Sequence, residues 1–404
     1  MGDETTTIEP GARANPLFIR LDEFGIHPER GFLPVPDPLA LLPEDFSPWD
    51  RAARELPKLL ITGKVRTHLR ELPILDDAAA LRDGRERERA MMILSFLGHA
   101  YVWGETEIVT TIPACLAVPW YQVSQLLGRP PVLSYASYAL ENWRRLDPNR
   151  PIELGNIALR QNFLGGEDEE WFVLIHVAIE AAAAPALAAI PTAQQAVADD
   201  RAEVVAEQLA IIARTLEALH AILLRMPERC DPYIYFHRVR PYIHGWANHP
   251  SLPSGMIYEG VEDYRGRPQS FRGETGAQSS IIPCLDAALG IAHAEDMLRS
   301  YLREMRDYMP PTHRKFIEAV EAGPSVRAYV QRLAKAHPAL RDAYNAAVEG
   351  VEVFRSTHLT YARNYIMKQS QRGTHNPADI GTGGTPFMPY LKKHRDETAR
   401  HRIK

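Results

Sequence analysis

Val353-Phe354-Arg355-Ser356-Thr357-His358-Leu359-Thr360 lies within residues 340–368, where apolar side chains recur at helical spacing. Ala347, Val351, Phe354, His358, Tyr361 and Tyr365 fall on one stripe of that helix. An imidazole therefore stands where a core-facing side chain belongs, and Arg355 lies one turn away beside it. Two roles suit such a residue. It is either a core histidine bonded to a neighbouring carbonyl, or the proximal ligand of a haem whose acidic propionate meets the arginine. The stripe alone leaves both open.

The rest of the chain also reads as helix. Helical periodicity covers residues 50–60, 85–101, 120–127, 133–143, 170–190, 193–226 and 283–308, with a last short helix near 386–400. No alternation of period two is sustained, so the expected fold class is all-α. Residues 1–48 carry eight prolines and are expected to form an extended arm around the body. Residues 233–242 are aromatic enough for a strand but are flanked by helices, and both readings stand.

The 404 residues allow two domains, or one with a large lobe. Hydrophobic content of 45% and charged content of 24% are ordinary, so a sizeable core is expected. A formal charge of -5 argues against a nucleic-acid binder, which presents a basic face. The most apolar stretch, 178–190, is shorter than the roughly 20 residues a span needs. It also holds Glu180 and Pro185, so no membrane partner is expected. The N-terminus is acidic and lacks a signal-peptide pattern. Together with three widely spaced cysteines, Cys115, Cys230 and Cys284, this points to a reducing cytoplasm without structural zinc. No obligate protein partner is evident.

Four further segments carry possible chemistry. In Tyr235-Phe236-His237-Arg238-Val239-Arg240, Phe236 and Arg240 are four apart and share a helical face. An aromatic ring beside a guanidinium suits a flat ligand carrying a carboxylate, although a solvated basic turn over core aromatics has the same pattern. Phe172 and His176 lie one turn apart on an apolar helix, so His176 is either a distal group over a ligand or a buried histidine bonded to a carbonyl. Tyr135 and Tyr138 line the same pocket or simply pack. Phe271-Arg272-Gly273-Glu274-Thr275-Gly276-Ala277-Gln278-Ser279-Ser280 is a small-residue loop opening a helix, able to approach a planar cofactor or an anion. Gly381-Thr382-Gly383-Gly384-Thr385 lacks the lysine and strand of a phosphate loop and reads as a flexible lid.

Taken in order, these segments resemble the indoleamine 2,3-dioxygenases, haem enzymes that open the pyrrole ring of tryptophan. The carrying residues begin with Arg20-Leu21-Asp22-Glu23-Phe24, Gly31-Phe32-Leu33-Pro34, Glu141-Asn142-Trp143 and Glu180-Ala181-Ala182-Ala183. They continue with Gly276-Ala277-Gln278-Ser279-Ser280, Tyr308-Met309-Pro310-Pro311-Thr312-His313-Arg314, Arg355-Ser356-Thr357-His358-Leu359 and the glycine-rich 381–385 segment. They are collinear over residues 17–397.

The resemblance implies a small N-terminal domain, residues 1–160, and a large helical domain, residues 161–404, with heme b (iron protoporphyrin IX) between them. It implies His358 as the iron ligand, Arg355 near a propionate, Asp286 supporting the proximal side, and Thr275, Gly276 and Ala277 against the cofactor. Phe236 and Arg240 match the distal phenylalanine and the arginine that holds the substrate carboxylate. Tyr135 and Phe172 match walls of the indole pocket, and Thr382 the loop threonine that closes over substrate. The substrates so implied are L-tryptophan and O₂, and the product is N-formyl-L-kynurenine.

Three positions depart from the family pattern. Tyr235-Phe236 stands where the family carries two phenylalanines. Tyr138 stands where a small residue is usual, which narrows the inner pocket. His176 replaces a serine and is more similar to the distal histidine of the related tryptophan 2,3-dioxygenases. These changes bear on substrate range. Another indole substrate, a haem sensor without catalysis, and a scaffold without cofactor are the alternatives.

Overall fold

The computed structural model describes residues 19–370, 381–384 and 388–404. Fifteen helices are assigned among them. They are α1 (Ser47–Thr62), α2 (Val65–Arg70), α3 (Gly84–Trp103), α4 (Ala114–Leu127), α5 (Glu167–Ala182), α6 (Ala184–Ala198), α7 (Ala202–Leu223) and α8 (Pro232–Ile234). Then follow α9 (Ile281–Leu289), α10 (Met297–Met305), α11 (Pro311–Ala322), α12 (Val326–Leu333), α13 (Pro338–Ala362), α14 (Lys368–Ser370) and α15 (Met388–Ala399). Strand is confined to two small pairs. Thr111–Ile112 runs parallel to Ile257–Tyr258, and Trp143–Arg145 runs antiparallel to Ile157–Leu159. The fold is all-α, as expected.

Side chains bury into two hydrophobic clusters. The first gathers α1, α3 and α4 around Trp49, Leu94, Trp120 and Trp143, and the second gathers α5, α6, α7, α9 and α13 around Leu187, Leu216 and Val351. Phe172 of α5 packs against both. The described part of the proline-rich arm crosses the two, burying Ile26 and Phe32 in the second and Leu33 and Leu42 in the first. Its Asp37 is clamped between Arg30 and Arg145, each at 2.8 Å.

Helix α13 packs along α7. Gly350 makes this possible, because a Cβ there would stand 2.8 Å from that of Leu216. Leu340, Tyr344, Ala347, Val348 and Val351 are its buried stripe.

Several helix boundaries differ from the sequence reading. The stretch 283–308 is two helices rather than one. Gly290 ends α9 with φ +62°, and Asp296 starts α10 by accepting from the Arg299 N–H. Residues 170–226 form three helices. The chain breaks at Ala183, with Pro185 in the first turn of α6, and again before Arg201, where Asp200 has φ +53°. The expected helix over 133–143 shrinks to a π-helical turn, Ala136–Leu140, and Trp143 joins a strand. Residues 233–243 resolve as helical turns.

The expectation that no stretch is long and apolar enough to cross a membrane also needs correction. Glu167–Ala198 passes that test by length and composition. It is α5 and α6 in succession, with 72% of the window buried inside the protein.

Candidate active site

The stripe that begins as core on α13 stops being core at the decisive residue. Val351 and Tyr365 are buried, but Phe354 and Tyr361 are only half-buried and His358 is exposed. Enough protein surrounds the His358 ring that burial, with the charges of His176 and Arg355, pushes its imidazole down to about 4. Exposure and close surroundings coexist where a side chain lines a hollow. A core histidine would be neither exposed nor without its carbonyl. Among the described residues, no hydrogen bond engages the His358 ring.

The charge of His176 reaches His358, so the two imidazoles lie close enough to disfavour each other's protonation. Around His176 stand Phe172 at 4.7 Å and Tyr135 at 5.9 Å between ring centroids. Phe172 in turn meets Tyr235 at 4.7 Å and Tyr138 at 6.4 Å. The structure thus brings together five of the residues picked from the sequence. Two π-helical turns supply two of them, Tyr138 from Ala136–Leu140 and Tyr235 from Tyr235–Val239, which also carries Phe236. A third, Arg363–Met367, extends α13 beyond His358. The wider π turn displaces side chains from ordinary helical register, which is why such turns gather at functional sites.

His176 Nδ1 lies 2.7 Å from the Phe172 carbonyl oxygen. A carbonyl only accepts, so Nδ1 carries the proton and Nε2 is left as an acceptor. Burial lowers the imidazole's pKa and keeps it neutral. Phe236 and Arg240 are fully buried, and the guanidinium sits 5.5 Å over the Phe236 ring. Burial pulls Arg240 down to about 10, so it is a cation at neutral pH held in a dry place. Such a cation suits an anion brought in by a ligand.

The small-residue loop borders the same space. Gln278 accepts from the Tyr135 N–H at 2.9 Å and donates to the Gly273 carbonyl, fixing the loop against the Tyr135 turn. Nothing lies within 4 Å of where a Gly276 Cβ would stand. Glu274 is buried, and its carboxyl is pushed up to about 8 by burial. Its charge acts on Tyr135, Tyr138 and Tyr235. Thr382 donates its hydroxyl to the Glu274 carbonyl, and its own carbonyl accepts from the Gly245 N–H at 3.3 Å. Arg272 and Asn248 hold the carbonyls of Gly383 and Gly384 at 3.0 Å. The segment read as a flexible lid is therefore tied down over 381–384, while Thr385 lies outside the described residues.

Arg355 and Asp286 form a second cluster, where α13 meets α9 and α15. They pair at 2.6 Å, and Arg355 also donates to Thr398 of α15. Burial pushes the Asp286 carboxyl up, but Arg355 and His293 outweigh it and leave it below the ordinary range. His293 reaches Asp286 through Nε2 at 3.4 Å and Glu397 through Nδ1 at 2.7 Å. With both nitrogens engaged, His293 is a weaker candidate than His358 for ligating iron.

This geometry agrees with what the chain is similar to. The family model described as indoleamine 2,3-dioxygenase matches residues 20–401. The chain belongs to the indoleamine 2,3-dioxygenase family. It is 39% identical over 393 residues to indoleamine 2,3-dioxygenase 1 of Rattus norvegicus, covering 94% of this chain and 95% of that one. It is 33% identical over 424 residues to indoleamine 2,3-dioxygenase of Saccharomyces cerevisiae, with coverage of 94% and 92%. A protein named myoglobin from Haliotis madaka is 31% identical over 392 residues, with coverage of 95% and 98%.

Members of the indoleamine 2,3-dioxygenase family are haem-dependent oxidoreductases, and haem is the cofactor here. The residues present fit it. An accessible imidazole on one wall, open space before Gly276 and an aromatic wall around His176 suit a flat ring with an axial nitrogen. Sequence reasoning missed His293, His394 and Glu397, which come together only in the fold. It also passed over Glu274, quoted in the loop without a role. The one signal was the (i, i+3) spacing of His394 and Glu397, too common to single out.

Proposed function

We propose that this dioxygenase cleaves the indole C2–C3 bond of L-tryptophan with O₂ to give N-formyl-L-kynurenine, as a cytoplasmic enzyme of tryptophan catabolism. The reading rests chiefly on His176, whose ring keeps an accepting Nε2 among Phe172 and Tyr135 while its charge reaches the accessible His358. In this proposal His358 ligates heme b lying between residues 1–160 and 161–404. Thr275, Gly276 and Ala277 back the cofactor's edge. Arg355, oriented by Asp286, offers its remaining N–H groups to a propionate.

The bound haem supplies the iron that activates O₂, and both oxygen atoms end in the product. The side chains position the substrate. Arg240 takes the carboxylate in a charge-assisted, bidentate contact. Phe236, Phe172 and Tyr135 hold the indole flat, with Tyr235 at the rim and Tyr138 closing the inner end. His176 Nε2 accepts the indole N–H, which fixes C2 and C3 toward the reacting centre. Thr382, joined to Glu274 through its main chain, closes over the amino-acid end.

A haem protein that carries O₂ without cleaving an indole is the second reading, favoured by the relative named myoglobin. Turnover of L-tryptophan, D-tryptophan and tryptamine by the reduced enzyme separates the two. Formylkynurenine absorbance from L-tryptophan, with tryptamine indifferent to loss of Arg240, supports the proposal. Reversible O₂ binding without product from any indole contradicts it.

A further inference from the structure

Behind the iron-bearing helix, His293, His394 and Glu397 place one ligand-type atom each within 4.8 Å of one another. His293 comes from the loop after α9, and the other two from successive turns of α15. We propose that these three side chains form a site for Zn²⁺, with a fourth position left to water.

The details favour a metal over a chance cluster. His293 Nδ1 donates to Glu397 Oε2 across 2.7 Å. A tetrahedral zinc with ligands at about 2.0–2.1 Å sets its donors roughly 3.3 Å apart, so replacing that proton widens the pair by only about half an ångström. The other nitrogen of His293 faces Asp286 at 3.4 Å, and Asp286 is held by Arg355 at 2.6 Å. A carboxylate behind a ligating imidazole fixes its tautomer and raises its basicity, the arrangement zinc sites use. His394 supplies the third donor. It is 8% exposed, its ring stacks on His293 at 4.0 Å and 16°, and among the described residues its Nε2 has no hydrogen-bond partner. Two parallel stacked rings do not both aim a nitrogen at one ion, so zinc binding requires the His394 ring to turn out of this stack.

The surrounding charges are Asp286, Glu397, Asp296 and Glu295 against Arg355, Lys393, Arg299 and Arg303. Lys393 binds Asp296 and lies 3.6 Å from Glu397 Oε1, so it neutralises without occupying the donor oxygen Oε2. Two imidazoles select a borderline ion such as Zn²⁺ over Mg²⁺ or Ca²⁺. Binding releases the His293 Nδ1 proton to solvent and ties α15 to the α9 loop.

The test uses haem-loaded protein dialysed against Zn²⁺, with bound metal counted and X-ray absorption recorded at the zinc edge, which haem iron leaves clear. The proposal predicts one zinc per chain with imidazole nitrogens at about 2.0 Å. His394→Gln and Glu397→Gln should each weaken binding at least about tenfold. Wild-type protein that retains no zinc, or a zinc shell without imidazole, overturns the site whatever the variants do. Equal zinc in folded His394→Gln overturns it as well.

Discussion

His176 donates its Nδ1 proton to the carbonyl of Phe172, one turn back on the same helix, across 2.7 Å. The bond commits the donor to the main chain and leaves Nε2 as an acceptor. It follows that the ring assists an N–H substrate only while neutral. Burial lowers its pKa below 6.5, so the neutral form persists through mildly acidic pH and is lost as pH falls through the lowered value. Turnover of L-tryptophan should therefore show an acid limb below 6.5. His176→Ala should remove it and cut kcat/KM about tenfold, the worth of roughly one hydrogen bond. 1-Methyltryptophan, which lacks the N–H, should be spared. Equal losses on both substrates would remove His176 from this role.

Arg240, fully buried beside Phe236, is the cation proposed to take the substrate carboxylate. Charge-assisted hydrogen bonds are worth about 1.5–3 kcal/mol. Arg240→Leu should therefore lower kcat/KM for L-tryptophan by roughly 10- to 100-fold. The same variant should leave tryptamine, which has no carboxylate, unchanged in steady-state kinetics.

Glu274 gives the alkaline side. Burial holds its carboxyl up to about 8, so it is neutral at pH 7 and brings a charge against Tyr135, Tyr138 and Tyr235 above that value. Activity should fall as pH rises through 8, and Glu274→Gln should flatten that limb. Because this folded pKa is raised, stability is lost as pH rises from the unfolded value of 4.5 toward 8. The glutamine variant should accordingly melt higher at neutral pH.

Asp286 works with the opposite sign. Its folded pKa is lowered below 3.8, so its stabilisation is full above that value and is lost as pH falls through the lowered one. Asp286→Asn leaves Arg355 without its carboxylate and should cost about 3 kcal/mol at neutral pH, read from denaturant midpoints. The gap to wild type should close in strong acid.

Gly276 separates cofactor space from fold. Its missing Cβ meets nothing, so Gly276→Val should leave the helical circular dichroism intact while weakening the haem Soret band on reconstitution. Full haem uptake by that variant would move the cofactor away from this loop.

Helical periodicity made the long elements legible, because α7 and α13 bury one clean stripe each. It failed where a helix stops inside an apolar run. Pro185 in the first turn of α6 and the positive φ of Asp200 mark the interruptions of 167–223, and an apolar pattern registers neither. His358 and Arg355 were legible as a stripe anomaly and its neighbour. The wall of Tyr135, Tyr138, Phe172 and Tyr235 was legible from the residues only as a pocket or ordinary packing, and the family resemblance favoured the pocket, since π-helical turns break the spacing that would have grouped them. The cluster of His293, His394 and Glu397 joins residues 104 positions apart, and no local pattern announces such a meeting.

The most direct measurement compares wild type with His358→Ala after anaerobic reduction. O₂ and L-tryptophan are then added while the Soret band and formylkynurenine absorbance are followed. Wild type should form product, and the variant should lose bound haem and product together. Haem retained with full activity in His358→Ala would contradict the assignment of the iron to this helix.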